Sequence, residues 1–442
     1  MSPLRFGANY TPSDGWFHAW QDLDERSVDR DMRAIAGLGL DHVRIFPLWP
    51  ILQPNRTHIS ARALRDVRRV AQIAGEHGLD SYVDVLQGHL SSFDFVPAWL
   101  TSWHRGNMFT DPDAVAAQAA LVAALHETLA EVPTYRGITL GNELNQFSGA
   151  PHPDPMPATP ADVDGWLASL LAPVPDDAGV LRLHAAYDAV WYLDDHPFVP
   201  AHASRVGDLT AIHSWVFNGT AQEYGPMAPQ SVRHAEYLVE LSRAFATDLR
   251  RPVWLQEVGA PGNVLDVADM ADFCERAVRH AADSPALWGV TWWCSHDVGS
   301  SLSDFPFFEH TLGLIDESGR PKDIGLRFAE VAAELRERPA AAPRTDAVVV
   351  DVDDQDVPVL RASLAPGGSV FEAWADLAAT GGRPALVTSR TAQDPADLGR
   401  RGVTSTKHVV PGARRVYTSV SDESFEAGQS DARQSEAGRA GS

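Results

Sequence analysis

Apolar residues fall along this chain in two alternating rhythms: short unbroken runs, and longer stretches in which they return every three or four positions. The first rhythm fits strands buried on both faces and the second fits helices with one buried face. Their alternation implies parallel strands joined by helical crossovers. Residues 4–10 read as strand one, and 29–38 as a helix closed by Gly39, where a left-handed stop favours glycine. Residues 42–46 give strand two, 61–77 a basic helix stopped by Gly78, and 80–86 strand three. A long alanine-rich helix covers 113–131, and strand four covers 137–142. In the fifth repeat the spacing predicts a helix over 161–171 and a strand within 180–189, followed by a Pro- and His-rich loop at 195–207. Strand six spans 209–215 with its helix at 231–247, and strand seven spans 252–257 with its helix at 267–282. Strand eight covers 287–293, and a closing helix covers 324–336.

Eight such repeats within residues 1–338 predict an α/β fold, a (β/α)8 TIM barrel carrying loop insertions. An open doubly wound sheet would want a glycine-rich phosphate turn after strand one, and GANY has none. PAAAPR at 339–344 reads as a linker. Beyond it, 345–420 is expected to form a small C-terminal α/β appendage, with strands at 347–352 and 385–388 and a helix at 369–380. Residues 421–442 are Ser, Gly, Ala and charge, the composition of a disordered tail.

Composition narrows the partners. Lys and Arg number 36 against 59 Asp and Glu, a formal charge of -23 over 442 residues. That field repels phosphate backbones and anionic membranes, which argues against nucleic acid or membrane partners and suits a neutral substrate. The two cysteines, Cys274 and Cys294, form no C-x-x-C pair and read as free thiols of a reducing compartment. The start MSPLRFGANY carries no apolar leader, and no run of about 18 apolar residues could span a bilayer, so a cytoplasmic location is expected. A homo-oligomer stays compatible with all of this.

The chemistry sits at strand ends. Glu143 follows the apolar run GITLGN and Glu257 follows PVWLQ. All strands of such a barrel point their C-terminal ends to one face, and a charged side chain there is costly without a role. Cleaving an acetal needs one acid for the leaving oxygen and one carboxylate for the oxocarbenium-like carbon, about 5–5.5 Å apart in retaining enzymes. Either glutamate alone is more often an ordinary loop-edge carboxylate. The pair gains weight from its joint placement with the aromatic strand WGVTWW.

The motifs TLGNEL (139–144), LQEVG (255–259), HVRIF (42–46), WGVTWW (288–293) and HTLGLIDESGRPK (310–322) resemble those of glycoside hydrolase family 5 and its clan, from residue 5 to about 338. GANYTPSDGWFHAW and DHVRIFPLWP are most similar to the subfamily 18 β-mannosidases. The resemblance implies a retaining, exo-acting β-glycosidase working by double displacement. It further implies a terminal β-mannosyl linkage such as Man-β-1,4-GlcNAc as substrate, and neither cofactor nor metal. Carried over by position, Glu143 would be the acid/base, Glu257 the nucleophile and Asn142 the holder of the sugar 2-hydroxyl. Arg44 would pair with Glu257, and Trp293 would floor the sugar while Trp292 turns into the core. His89 and His213 match supporting histidines. Trp16, Trp20, Trp49, Trp99, Trp103 and Trp215 fall near the top-face loops of a sugar-lined pocket, which the insertions 87–111 and 147–160 are expected to close. The family often carries His-x-Tyr near strand six; here the triplet is His213-Ser214-Trp215, leaving Tyr187 as the candidate phenol. Three alternatives stay open: a β-glucosidase or β-galactosidase of the same clan, a non-catalytic sugar-binding barrel, and a metal-dependent hydrolase barrel. Seventeen histidines invite the last, but strand one has no His-x-His and H-E-x-x-H is absent.

Overall fold

The computed structural model describes residues 3–102, 106–338 and 341–413. Trp103, the start of the linker, the end of the appendage and the tail at 421–442 lie outside the described residues. Eight parallel strands form a nearly closed barrel: β1 (Arg5–Asn9), β2 (His42–Ile45), β3 (Asp80–Asp84), β4 (Tyr135–Thr139), β5 (Leu181–Leu183), β6 (Thr210–Ser214), β7 (Val253–Val258) and β8 (Leu287–Trp292). Their hydrogen-bonded order is β5-β4-β3-β2-β1-β8-β7-β6. Among the described residues no ladder joins β5 to β6. Asp208 links them instead: its N–H donates to the Arg182 carbonyl at 2.9 Å, and its carboxylate accepts from the Arg182 guanidinium at 2.9 Å.

The outer ring comprises α1 (Glu25–Gly37), α2 (Ala61–Glu76), α3 (Pro112–Leu129), α4 (Pro160–Leu171), α5 (His234–Phe245), α6 (Met270–Ala282) and α7 (Asp323–Arg336). Local chemistry sets several starts: Asp24, Ser60, Asp111 and Thr159 each accept a hydrogen bond from a backbone N–H of the first turn that follows. Gly39 and Gly78 take φ of 70° and 78°, the left-handed stop expected of them. Two predicted helices are interrupted. The segment 231–247 breaks at Arg233 (φ -105°, ψ 4°), because Pro229 opens a separate short turn and the Arg233 side chain reaches Glu236 and the Ala378 carbonyl. The segment 267–282 begins as a 3-10 turn, Val267–Asp269, before α6.

Beyond the barrel, β9 (Asp346–Val350) lies between β10 (Ala385–Thr388) and β11 (Ser405–Lys407), all parallel, with α8 (Ser369–Ala379) beside them. Strand β11 is short and polar, so no apolar rhythm announced it. This unit shares one continuous apolar core with the barrel. The Tyr237 ring of α5 packs 4.8 Å from Phe371 and 5.2 Å from Trp374, and its hydroxyl donates to the Leu364 carbonyl at 2.8 Å. Among the described residues no helix is long and apolar enough to cross a membrane.

Candidate active site

The C-terminal ends of the strands bring the acidic residues together. Past β4 the chain turns tightly through Gly141, where any Cβ would overlap the Leu86 carbonyl, and Glu143 takes the left-handed conformation at φ 47°. Such strain in a non-glycine residue costs about 1–3 kcal/mol and tends to gather at functional sites. In the β6–β7 ladder a register shift between Ile212 and His213 sets His213 opposite Glu257.

His213 Nδ1 lies 2.7 Å from Glu143 Oε1 and 3.4 Å from Glu257 Oε2. Across the trio one carboxylate oxygen of each glutamate and one His213 nitrogen lie within 4.8 Å of one another. Glu257 Oε1 accepts from Arg44 Nη1 at 2.7 Å, and Glu257 Oε2 accepts from the Trp215 indole at 3.2 Å. Trp215 therefore supplies the donor expected of a tyrosine. The Tyr187 hydroxyl is buried in the cavity wall and bonds neither carboxylate. Arg44 is fully buried and engages Asp84 through two bonds of 2.8 Å, with a third to Asn142 Oδ1 at 2.8 Å. Gln146 donates to the second oxygen of Glu143 at 2.6 Å.

The electrostatics follow from this arrangement. Burial would raise the Glu143 carboxyl, but the hydrogen bond and charge of His213 hold it below its ordinary value. Burial raises Glu257, against the pull of His213 and Arg44. The imidazole of His213 is lowered by burial and raised more by the two glutamates, so it ends above its ordinary value. Two carboxylates and a histidine within this distance form a set that a divalent ion could use. The Arg44 guanidinium against Glu257 opposes a second cation there, and the set better suits a shared proton.

A cavity of about 690 Å³ opens over the acids. Of the residues singled out from sequence, Glu143, Glu257, Asn142, His89, Trp215 and Trp293 line it. Three do not. Arg44 and His213 lie beneath its surface, packed against the carboxylates they contact. Trp16 packs edge-on behind Trp293 at 6.3 Å and donates to the Ser91 hydroxyl at 3.3 Å, so it supports the wall rather than facing the cavity. Trp20 and Trp49 are also buried, and Trp292 turns to Phe328 at 5.6 Å, as strand alternation requires. Sequence reasoning missed Asp84, Gln146, the hairpin at 89–94 and Glu309. Within 87–111 the pairing of His89–Leu90 with Phe93–Asp94 makes one wall, and Pro151 to Pro153 from the second insertion contribute another. The two walls join where Asp94 accepts from His89 at 2.9 Å and from His152 at 3.0 Å.

No protein-family model and no curated protein matches the chain. Solved structures do. A GH5_18 protein from Bifidobacterium longum subsp. infantis is 57% identical, with 95% of this chain and 100% of that one covered and a TM-score of 0.93. A Glu-to-Ala variant of a GH5_18 protein from Bifidobacterium longum subsp. longum ATCC 55813, solved in complex with Manb1-4GlcNAc, is 53% identical over 96% of this chain and 100% of that one, at a TM-score of 0.94. More distant is the exo-beta-1,4-mannosidase Op5Man5 from Opitutaceae bacterium strain TAV5, 25% identical over 87% of this chain and 69% of that one, at a TM-score of 0.72.

Proposed function

The chain belongs to glycoside hydrolase family 5, subfamily 18, and from that premise we propose that it is a retaining, exo-acting β-mannosidase that splits terminal β-mannosyl linkages such as that of Man-β-1,4-GlcNAc. The observation that carries the mechanism is the approach of Glu143 and Glu257 carboxylate oxygens within 4.8 Å. Inverting enzymes hold their carboxyls about 6.5–9.5 Å apart to admit a water between acid and base, and this spacing leaves no such room.

In the first step Glu257 attacks the anomeric carbon while Glu143 gives its proton to the departing glycosidic oxygen. The carbon–oxygen bond breaks and a covalent glycosyl-enzyme forms. In the second step Glu143 takes a proton from water, the water oxygen attacks the same carbon, and Glu257 leaves as carboxylate. Arg44 orients Glu257 and brings little net charge, since Asp84 neutralises it. The proton Glu143 needs is held on its 2.7 Å bond to His213. Trp293 offers an aromatic face in the cavity for the C–H face of the sugar, and Asn142, anchored by Arg44, is placed for its 2-hydroxyl. The two cysteines, buried and unpaired, support a reducing, cytoplasmic site of action.

The test is hydrolysis of Man-β-1,4-GlcNAc and of a panel of nitrophenyl glycosides, with the product followed by NMR. Mannose should appear first as the β-anomer, EDTA should leave the rate unchanged, and Glu143→Gln or Glu257→Gln should lower kcat by about 10³-fold or more. Initial release of the α-anomer would overturn the mechanism. Faster turnover of a β-glucoside or β-galactoside would overturn the sugar.

A further inference from the structure

Two further carboxyls line the same cavity: Asp94 is paired with His89 and His152, whereas Glu309 is used by neither chemical step. Glu309 sits in the 3-10 turn Phe307–Thr311 and is buried, and its Oε2 has no hydrogen-bond partner. Among the described residues no cation pairs with it. The side chains of Ser91 and Trp293 are its polar neighbours. Those two partners tie it to the rest of the site. The Trp293 ring abuts Trp215, which donates to Glu257, at 6.4 Å, and Trp16, which donates to Ser91, at 6.3 Å. The indole of Trp293 therefore runs from the nucleophile's surroundings to a polar group made of Ser91 and Glu309.

Ser91 and its neighbour Ser92 hold φ of 50° and 67° at the tip of the wall hairpin. Such a turn ordinarily takes Asn-Gly or Asp-Gly. Here the strained pair keeps a hydroxyl against Glu309. A buried carboxyl oxygen without a partner carries the penalty of its lost hydration, which a ligand hydroxyl removes on binding.

We propose that Glu309 reads the glycone: with Ser91 and Trp293 it forms the polar end of the pocket and takes hydroxyls of the terminal sugar remote from the anomeric carbon, at C4 or C6. The inference rests on the glycosidase reading above for the position of that carbon, which Glu143 and Glu257 fix. Burial, reinforced by the charge of Glu257, pushes the Glu309 carboxyl up to about 7. Sugar hydroxyls both donate and accept, so they pair with it on either side of that titration.

The experiment compares wild type, Glu309→Gln and Glu309→Ala on the nitrophenyl β-glycoside that wild type turns over fastest and on its 4-deoxy and 6-deoxy analogues. Melting temperature is recorded for each protein. A site built to bond a hydroxyl rejects the analogue lacking it, so wild type should lose about 10²-fold or more in kcat/KM on at least one of them. In Glu309→Ala that penalty should collapse to within about threefold, because the partner of the missing hydroxyl is already gone. Glu309→Gln keeps the shape beside Ser91 and Trp293, so it should fold as wild type does, with an intermediate penalty. It carries the test if the alanine variant does not fold. Deoxy penalties equal in all three proteins, or none in wild type, would overturn the role of Glu309. A best substrate other than a mannoside would overturn the mannosidase reading alone.

Discussion

At Glu143, His213 and Glu257, three ionisable groups compete for one proton. The Arg44–Asp84 pair is neutral overall, so His213 is the group whose charge can offset both glutamates. Replacing His213 by Asn removes that offset and leaves burial at Glu257 opposed by Arg44 alone. As the proposed nucleophile, Glu257 must be ionised, so the acid limb of the kcat/KM profile should move to higher pH, while the maximum falls by about 10²-fold. A profile whose acid limb stays in place or moves down would refute the shared proton. At this scale the sequence was legible where one charged residue followed an apolar run, which is how Glu143 and Glu257 came into view. Asp84 carries the same signal, but strand three was expected to run to residue 86, which hid Asp84 inside it. Glu309 had no signal at all, for it lies in a short turn whose only function is visible in three dimensions.

At the scale of elements, the catalytic geometry depends on how closely β4 and β3 end against each other. The Leu86 N–H donates to the Leu140 carbonyl at 2.9 Å, and Gly141 passes over the Leu86 carbonyl with no space for a methyl group. Gly141→Ala should therefore push the 142–143 segment away from β3. A displacement near 1 Å can cost about 10²-fold in rate, so kcat should fall by that order while the far-ultraviolet circular dichroism stays native. Wild-type kcat in this variant would show that the turn has slack. Strand and helix positions were readable to within a few residues because both rhythms persist through the barrel. The misses have local causes: Arg233 breaks a continuous helical pattern to reach the C-terminal unit, and β11 is polar. The wall hairpin was hidden because its turn is Ser-Ser, a pair that carries no turn signature.

For the whole molecule, the decisive question is whether the C-terminal unit stands alone. The sequence treats it as an appendage behind a linker, yet the linker's last residue is among the most deeply buried cations of the protein. Arg344 is 2% exposed and lies 2.7 Å from Glu236 and 3.2 Å from Glu240, both on α5 of the barrel. Arg361 donates to the carbonyls of Phe198 and His196 at 2.9 and 3.1 Å, so the two parts are joined at a second point. Arg233 and Arg243 also serve the two glutamates, which limits the loss when Arg344 is removed. Arg344→Ala should still cost about 3 kcal/mol, since removing one partner leaves buried acid imperfectly matched. Because a single apolar core spans both parts, that loss should appear as one cooperative transition shifted to lower temperature, with kcat/KM per folded molecule unchanged. Two separated transitions in the variant or in wild type would instead make the C-terminal unit an independent domain, and Arg344 a local tether.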